Sequence, residues 1–109
     1  MLHVVAIITA KPGQRDAVLE AFRANVPAVH AEDGCIEYGA TVDADFGGIQ
    51  TKFGPDTFVV VEKWASAEAL KAHAASPHMA AYGAKTRRCS PTASCTCSRR
   101  PDPEPGRSS

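Results

Sequence analysis

Residues 2–10, LHVVAIITA, are apolar on both alternating faces: Leu2, Val4, Ala6 and Ile8 on one, Val5 and Ile7 on the other. That pattern predicts a central strand covered on both sides. Lys11-Pro12-Gly13 ends it, and the period then changes. Over residues 14–32, Val18, Phe22, Val26 and Val29 fall on one stripe, with Arg15, Asp16, Glu20 and Arg23 outside it. This is the spacing of an amphipathic helix. Pro27 removes one of its hydrogen bonds and crowds the carbonyl of Arg23, which predicts a kink or break there. Gly34 is placed to close the helix in a left-handed conformation. Residues 35–42, CIEYGATV, return to a period of two, with Ile36, Tyr38, Ala40 and Val42 on one face and Glu37 and Thr41 on the other.

Residues 43–56, DADFGGIQTKFGPD, are long for a hairpin connection, where two to five residues are usual. They carry Phe46, Ile49 and Phe53 among glycines and a proline. Such a loop packs down as a lid, meets a partner subunit, or is a floppy insertion. The next stretch organises the rest of the chain. Phe58-Val59-Val60-Val61 begins a strand that ends in Glu62-Lys63-Trp64. Ser66 stands at an N-cap position with Glu68 in the first turn, where the positive helix end favours a carboxylate. Leu70, His73 and Ala74 share one face of that helix. Ser76-Pro77 then starts a second helix, with His78 near its beginning.

After Thr86 the composition changes in mid-helix. Arg, Ser, Pro and Cys make up seventeen of the twenty-three residues 87–109, and Val, Ile, Leu, Met, Phe, Tyr and Trp are absent. A segment with so little to bury is expected to stay disordered. The domain is therefore expected at 1–86 and a disordered tail at 87–109. The abruptness suggests a shifted reading frame in GC-rich DNA, since eighteen of the first 86 residues are alanine. Translating the other two frames beyond codon 86 decides this: an apolar strand in one of them supports the shift, and its absence from both excludes it.

Charge alters the picture little. The first 86 residues carry seven Lys and Arg against ten Asp and Glu, net −3, which gives no footprint for nucleic acid. No apolar run approaches a membrane span. The first residues read as strand rather than signal peptide, so a cytoplasmic protein is expected. Cys89, Cys95 and Cys97 lack the paired spacing of a zinc site, and no metal is expected.

The order of these features resembles the antibiotic biosynthesis monooxygenase domain over roughly residues 2–87. A strand ending Glu62-Lys63-Trp64, a short helix carrying His73 and then Ser76-Pro77-His78 carry the resemblance. Lys11-Pro12-Gly13 and Asp33-Gly34-Cys35-Ile36-Glu37-Tyr38 extend it into the first half. It implies an α+β, ferredoxin-like fold that pairs as a homodimer into a dimeric α+β barrel. The family's final β-strand would be missing here, because it would fall in the tail.

The resemblance also implies a monooxygenase working without metal, flavin or haem on quinols or similar electron-rich aromatics, with dioxygen as co-substrate. A base removes a phenolic proton, and the anion gives an electron to dioxygen. His73 is the candidate base or anion partner and Trp64 the candidate pocket wall; a core imidazole and a core indole are the rival readings. Tyr38 and Tyr82 are candidate hydrogen-bond donors to substrate, and His78 and Phe53 further substrate contacts. Glu62, on the inward face of its strand, needs a partner, and an ion pair with Arg or Lys, within the chain or across a dimer, is expected. Two other readings stay open: a non-catalytic small-ligand-binding dimer of stress-response type, and haem degradation. The latter uses an Asn on the first strand in related dimers, and residues 2–10 contain none.

Overall fold

The computed structural model describes residues 1–89 and 91–101. Strand β1 (Leu2–Thr9) leads into helix α1 (Arg15–His30), β2 (Cys35–Thr41) and β3 (Thr57–Trp64). Two short helices follow, α2 (Ala67–Ala74) and α3 (Pro77–Thr86), then a 3-10 turn at Arg87–Cys89 and strand β4 (Thr92–Ser98). The four strands form one antiparallel sheet in the order β2-β3-β1-β4. The architecture is α+β and ferredoxin-like.

Alternation along the strands divides the sheet into two faces. Val4 and Ala6 of β1, Tyr38 of β2, and Phe58, Val60, Glu62 and Trp64 of β3 are buried on the helix side. Val18, Leu19, Phe22 and Val29 of α1 pack onto them. Phe22 stacks on Tyr38 at 5.0 Å between ring centroids and meets Phe58 edge-on at 6.0 Å. Burying one such ring contributes about 1.5–3 kcal/mol. The opposite face carries Val5, Ile7, Val59 and Val61, with Lys63 paired to Glu37 at 3.1 Å. Among the described residues no helix packs on that face, and Val5 is 40% exposed.

The helix starts obey their sequence signals. The Ser66 hydroxyl accepts from the Ala69 amide at 3.2 Å, and that of Ser76 from the Met79 amide at 3.4 Å. Pro27 does not break α1. It forgoes one bond near the helix end, and its own carbonyl still accepts from Ala31 at 3.2 Å. The helix stops at Ala31, three residues before Gly34. Ile36 is not on the core face. The β2–β3 register shifts between Cys35 and Glu37, and this bulge leaves Ile36 52% exposed.

The expectation of a lost last strand and a disordered tail from residue 87 is corrected. Residues 92–98 pair with β1 from Thr9↔Thr92 to His3↔Ser98. All seven residues are exposed, so apolar burial does not hold this strand. The free backbone edge of β1 does, and an edge of unpaired amides and carbonyls accepts any strand whose register it can satisfy. Cys89 is also buried, and its carbonyl accepts from the Lys11 amide at 3.0 Å. The part of the tail expectation that falls on residues 102–109 lies outside the described residues.

The 43–56 loop is folded rather than floppy. The Asp43 carboxylate accepts from the Phe53 and Gly54 amides at 3.1 and 2.8 Å, which holds its carboxyl below the ordinary value. Phe46, Ile49 and Phe53 nevertheless remain 73%, 87% and 52% exposed, so the loop does not pack down on its own chain.

Candidate active site

The end of β3 and the turn after α1 are tied together. Cys35 pairs with Trp64 across the β2–β3 ladder, and the Ala65 amide donates to the Gly34 carbonyl at 2.8 Å. Gly34 has φ +81°, and a Cβ there would lie 2.6 Å from that of Ala69 in α2. Only glycine lets the turn approach α2 so closely. This approach brings Glu32, in the turn, to His73, at the end of α2.

His73 is 4% exposed. Its Nδ1 lies 2.7 Å from Glu32 Oε2, and because a carboxylate only accepts, the ring donates that proton. The second ring nitrogen, Nε2, is 3.9 Å from Glu62 Oε1. Glu62 Oε1 in turn accepts from the Trp64 indole N–H at 2.8 Å. Among the described residues the partners of Glu62 within the chain are thus an indole and an imidazole, with no Arg or Lys paired to it. Burial pushes the Glu62 carboxyl above its ordinary value; the indole hydrogen bond and His73 oppose the shift without cancelling it.

Aromatic rings wall the imidazole. Trp64 is fully buried and sits 4.6 Å from His73, centroid to centroid, tilted by 34°. Tyr38 meets His73 edge-on at 5.4 Å. Tyr82 of α3 stands behind this cluster and meets Phe22 edge-on at 6.3 Å. Burial raises both phenols, with Glu62 adding to the effect at Tyr38, so each keeps its proton. Tyr82 also lines a groove of about 440 Å³ with Ile8, Arg87 and Ala93. Ala93, Cys95 and Cys97 continue from it along the helix-side face of β4, and partial desolvation, with Glu62 adding to it, raises the Cys95 thiol.

His78, half-buried, places Nε2 3.3 Å from Glu32 Oε2 and 3.2 Å from the Ser76 hydroxyl. Phe53 is not brought to the site. It lines a separate cavity beside Thr57 and Phe58, at the opposite end of β3 from Trp64. Six residues of strand separate the two ends, roughly 20 Å. Glu32 escaped the sequence reading because it stands in an Ala-Glu-Asp-Gly turn without periodicity. Only the pairing of Cys35 with Trp64 and the close approach at Gly34 carry it to His73.

Comparison with known proteins shows the family. The family model described as antibiotic biosynthesis monooxygenase matches residues 1–85. The chain belongs to the antibiotic biosynthesis monooxygenase family. It is 44% identical over 84 residues to "Probable quinol monooxygenase YgiN" of Escherichia coli K12, covering 75% of this chain and 81% of that protein. Among solved structures, Rv0793 from Mycobacterium tuberculosis superposes with a TM-score of 0.75 at 26% identity, covering 94% of this chain and 96% of that one. PA3566 from Pseudomonas aeruginosa gives 0.74 at 25% identity, covering 91% and 92%. The family's sequence pattern thus ends at residue 85, whereas the likeness in fold extends beyond it. Among the described residues no helix is long and apolar enough to cross a membrane.

Proposed function

We propose that this family member is a homodimeric monooxygenase that oxidises quinols or similar electron-rich aromatics with dioxygen, using no metal, flavin or haem. The observation that carries the reading is the Glu32–His73 pair, 2.7 Å apart and enclosed by Trp64 and Tyr38. With the Nδ1 proton held by Glu32, the lone pair lies on Nε2, the form a general base needs.

Nε2 takes a phenolic proton from the quinol. The resulting anion transfers one electron to dioxygen, and the radical pair combines to form a carbon–oxygen bond. Loss of water from the hydroperoxide leaves a hydroxyquinone. One quinol and one dioxygen give one hydroxyquinone and one water, so no outside reductant is required. A dry site favours the step by denying the anion bulk solvation. Tyr38 is the proposed donor to a substrate oxygen and Trp64 the flat wall. The groove beside Tyr82 is the proposed entrance, and His78, next to Glu32, is a proposed further contact.

Exposed apolar residues support the dimer. Val5 on the open sheet face and Phe46, Ile49 and Phe53 on the loop await a cover, and a second copy of the same sheet supplies one. Phe53 is accordingly assigned to that interface rather than to substrate. The free thiols of Cys35 and Cys89 fit a cytoplasmic setting.

The test is oxygen uptake across a panel of quinols. His73→Ala should lower the rate by roughly a hundredfold or more, as loss of a general base does, with an unchanged far-UV spectrum. A variant that keeps its rate removes His73 from the mechanism and leaves a ligand-binding dimer as the better reading.

A further inference from the structure

We infer that Glu32, His73 and His78 form a binding site for a single zinc-class divalent ion. Two imidazole nitrogens converge on one carboxylate oxygen: His73 Nδ1 at 2.7 Å and His78 Nε2 at 3.3 Å from Glu32 Oε2. All three donor atoms lie within 4.8 Å of one another. Zinc bound at about 2.0–2.1 Å in tetrahedral geometry separates neighbouring ligand atoms by about 3.3 Å. Two of the spacings are within an ångström of that value. Rotation of His78, whose side chain is 28% exposed, adjusts the third.

The donor set selects the metal. Two imidazoles and one carboxylate suit zinc and its transition-metal neighbours, whereas calcium and magnesium prefer all-oxygen sites. The surroundings fit as well. A metal on His73 Nδ1 moves that ring's proton to Nε2, which faces the Glu62 carboxylate at 3.9 Å. Carboxylate behind a metal-binding histidine is the usual supporting arrangement. A cleft of about 480 Å³ lined by Glu32, Asp33, Ser66 and Glu68 opens beside the site, so an entering cation meets negative charge.

Binding goes beyond the proposed oxygenation and does not depend on it. If His73 is also the base, the two roles exclude each other, because the metal-bound ring carries a proton on Nε2. Zinc would then act as an inhibitor that competes for the base.

The full chain, stripped with a chelator and kept reduced, is titrated with zinc against a chromophoric chelator. A Cys95→Ser/Cys97→Ser variant removes the exposed thiols as rival ligands. The expected result is one zinc per chain at micromolar concentration in wild type and in the cysteine variant. His78→Ala in that same background should lose the site while its far-UV spectrum stays unchanged. No binding at micromolar zinc, binding that disappears with the cysteines, or binding that survives His78→Ala would each overturn the assignment. None of these readouts involves turnover, so they leave the oxygenation reading to its own test.

Discussion

Glu62 is a carboxylate on the buried face of β3 whose partners are a neutral indole and an imidazole. Burial raises its pKa from the ordinary 4.5. For an acid shifted upward, the folded state favours the protonated form. That stability is complete below the ordinary pKa and is lost as pH rises through the raised one. Glu62→Gln keeps an acceptor for the indole and carries no charge. Wild type and variant should therefore melt together in acid, with the variant melting higher at neutral pH. A lower melting point for the variant at neutral pH would mean that His73 stabilises the ionised carboxylate more than burial penalises it. The sequence showed that Glu62 faces inward, because β3 alternates. It could not show the partner, since that depends on where α2 sets His73 over the sheet.

The turn between α1 and β2 and the helix α2 form the element pair that builds the site. Their separation is set by Gly34, which combines a left-handed backbone with a Cβ position already occupied by Ala69. Gly34→Ala should cost more than about 1 kcal/mol from the backbone alone, with a further cost from the contact. Denaturant unfolding measures the total, and adding Ala69→Gly should recover only the contact part. Full recovery in the double variant would show that the backbone conformation carries no strain. The helix starts at Ser66 and Ser76 and the inward side of α2 were legible in the chain, because capping and period are local signals. β4 was not. Thr92-Ala93-Ser94-Cys95-Thr96-Cys97-Ser98 contains no apolar alternation, and its place is decided by the free edge of β1, a property of the assembled sheet. Pro27 misled in the other direction, since one missing bond in the last turns of a sixteen-residue helix is too little to end it.

At the scale of the whole molecule, the apolar pattern of β1 already called for cover on both faces, and the described residues supply one helical layer. The sheet's outer face and the 43–56 loop are the surfaces the proposed dimer would bury. Light scattering at micromolar concentration should return twice the 11.5 kDa chain mass. A monomer mass would leave the outer face of the sheet without its proposed cover. The proposed chemistry is that this fold and its buried Glu32–His73 pair insert one atom of dioxygen into an aromatic substrate. Mass spectrometry of the product formed from a quinol under isotopically labelled dioxygen tests it most directly. One labelled oxygen is expected in the organic product and the other in water. A product without label, accompanied by labelled hydrogen peroxide or by labelled water alone, would contradict it.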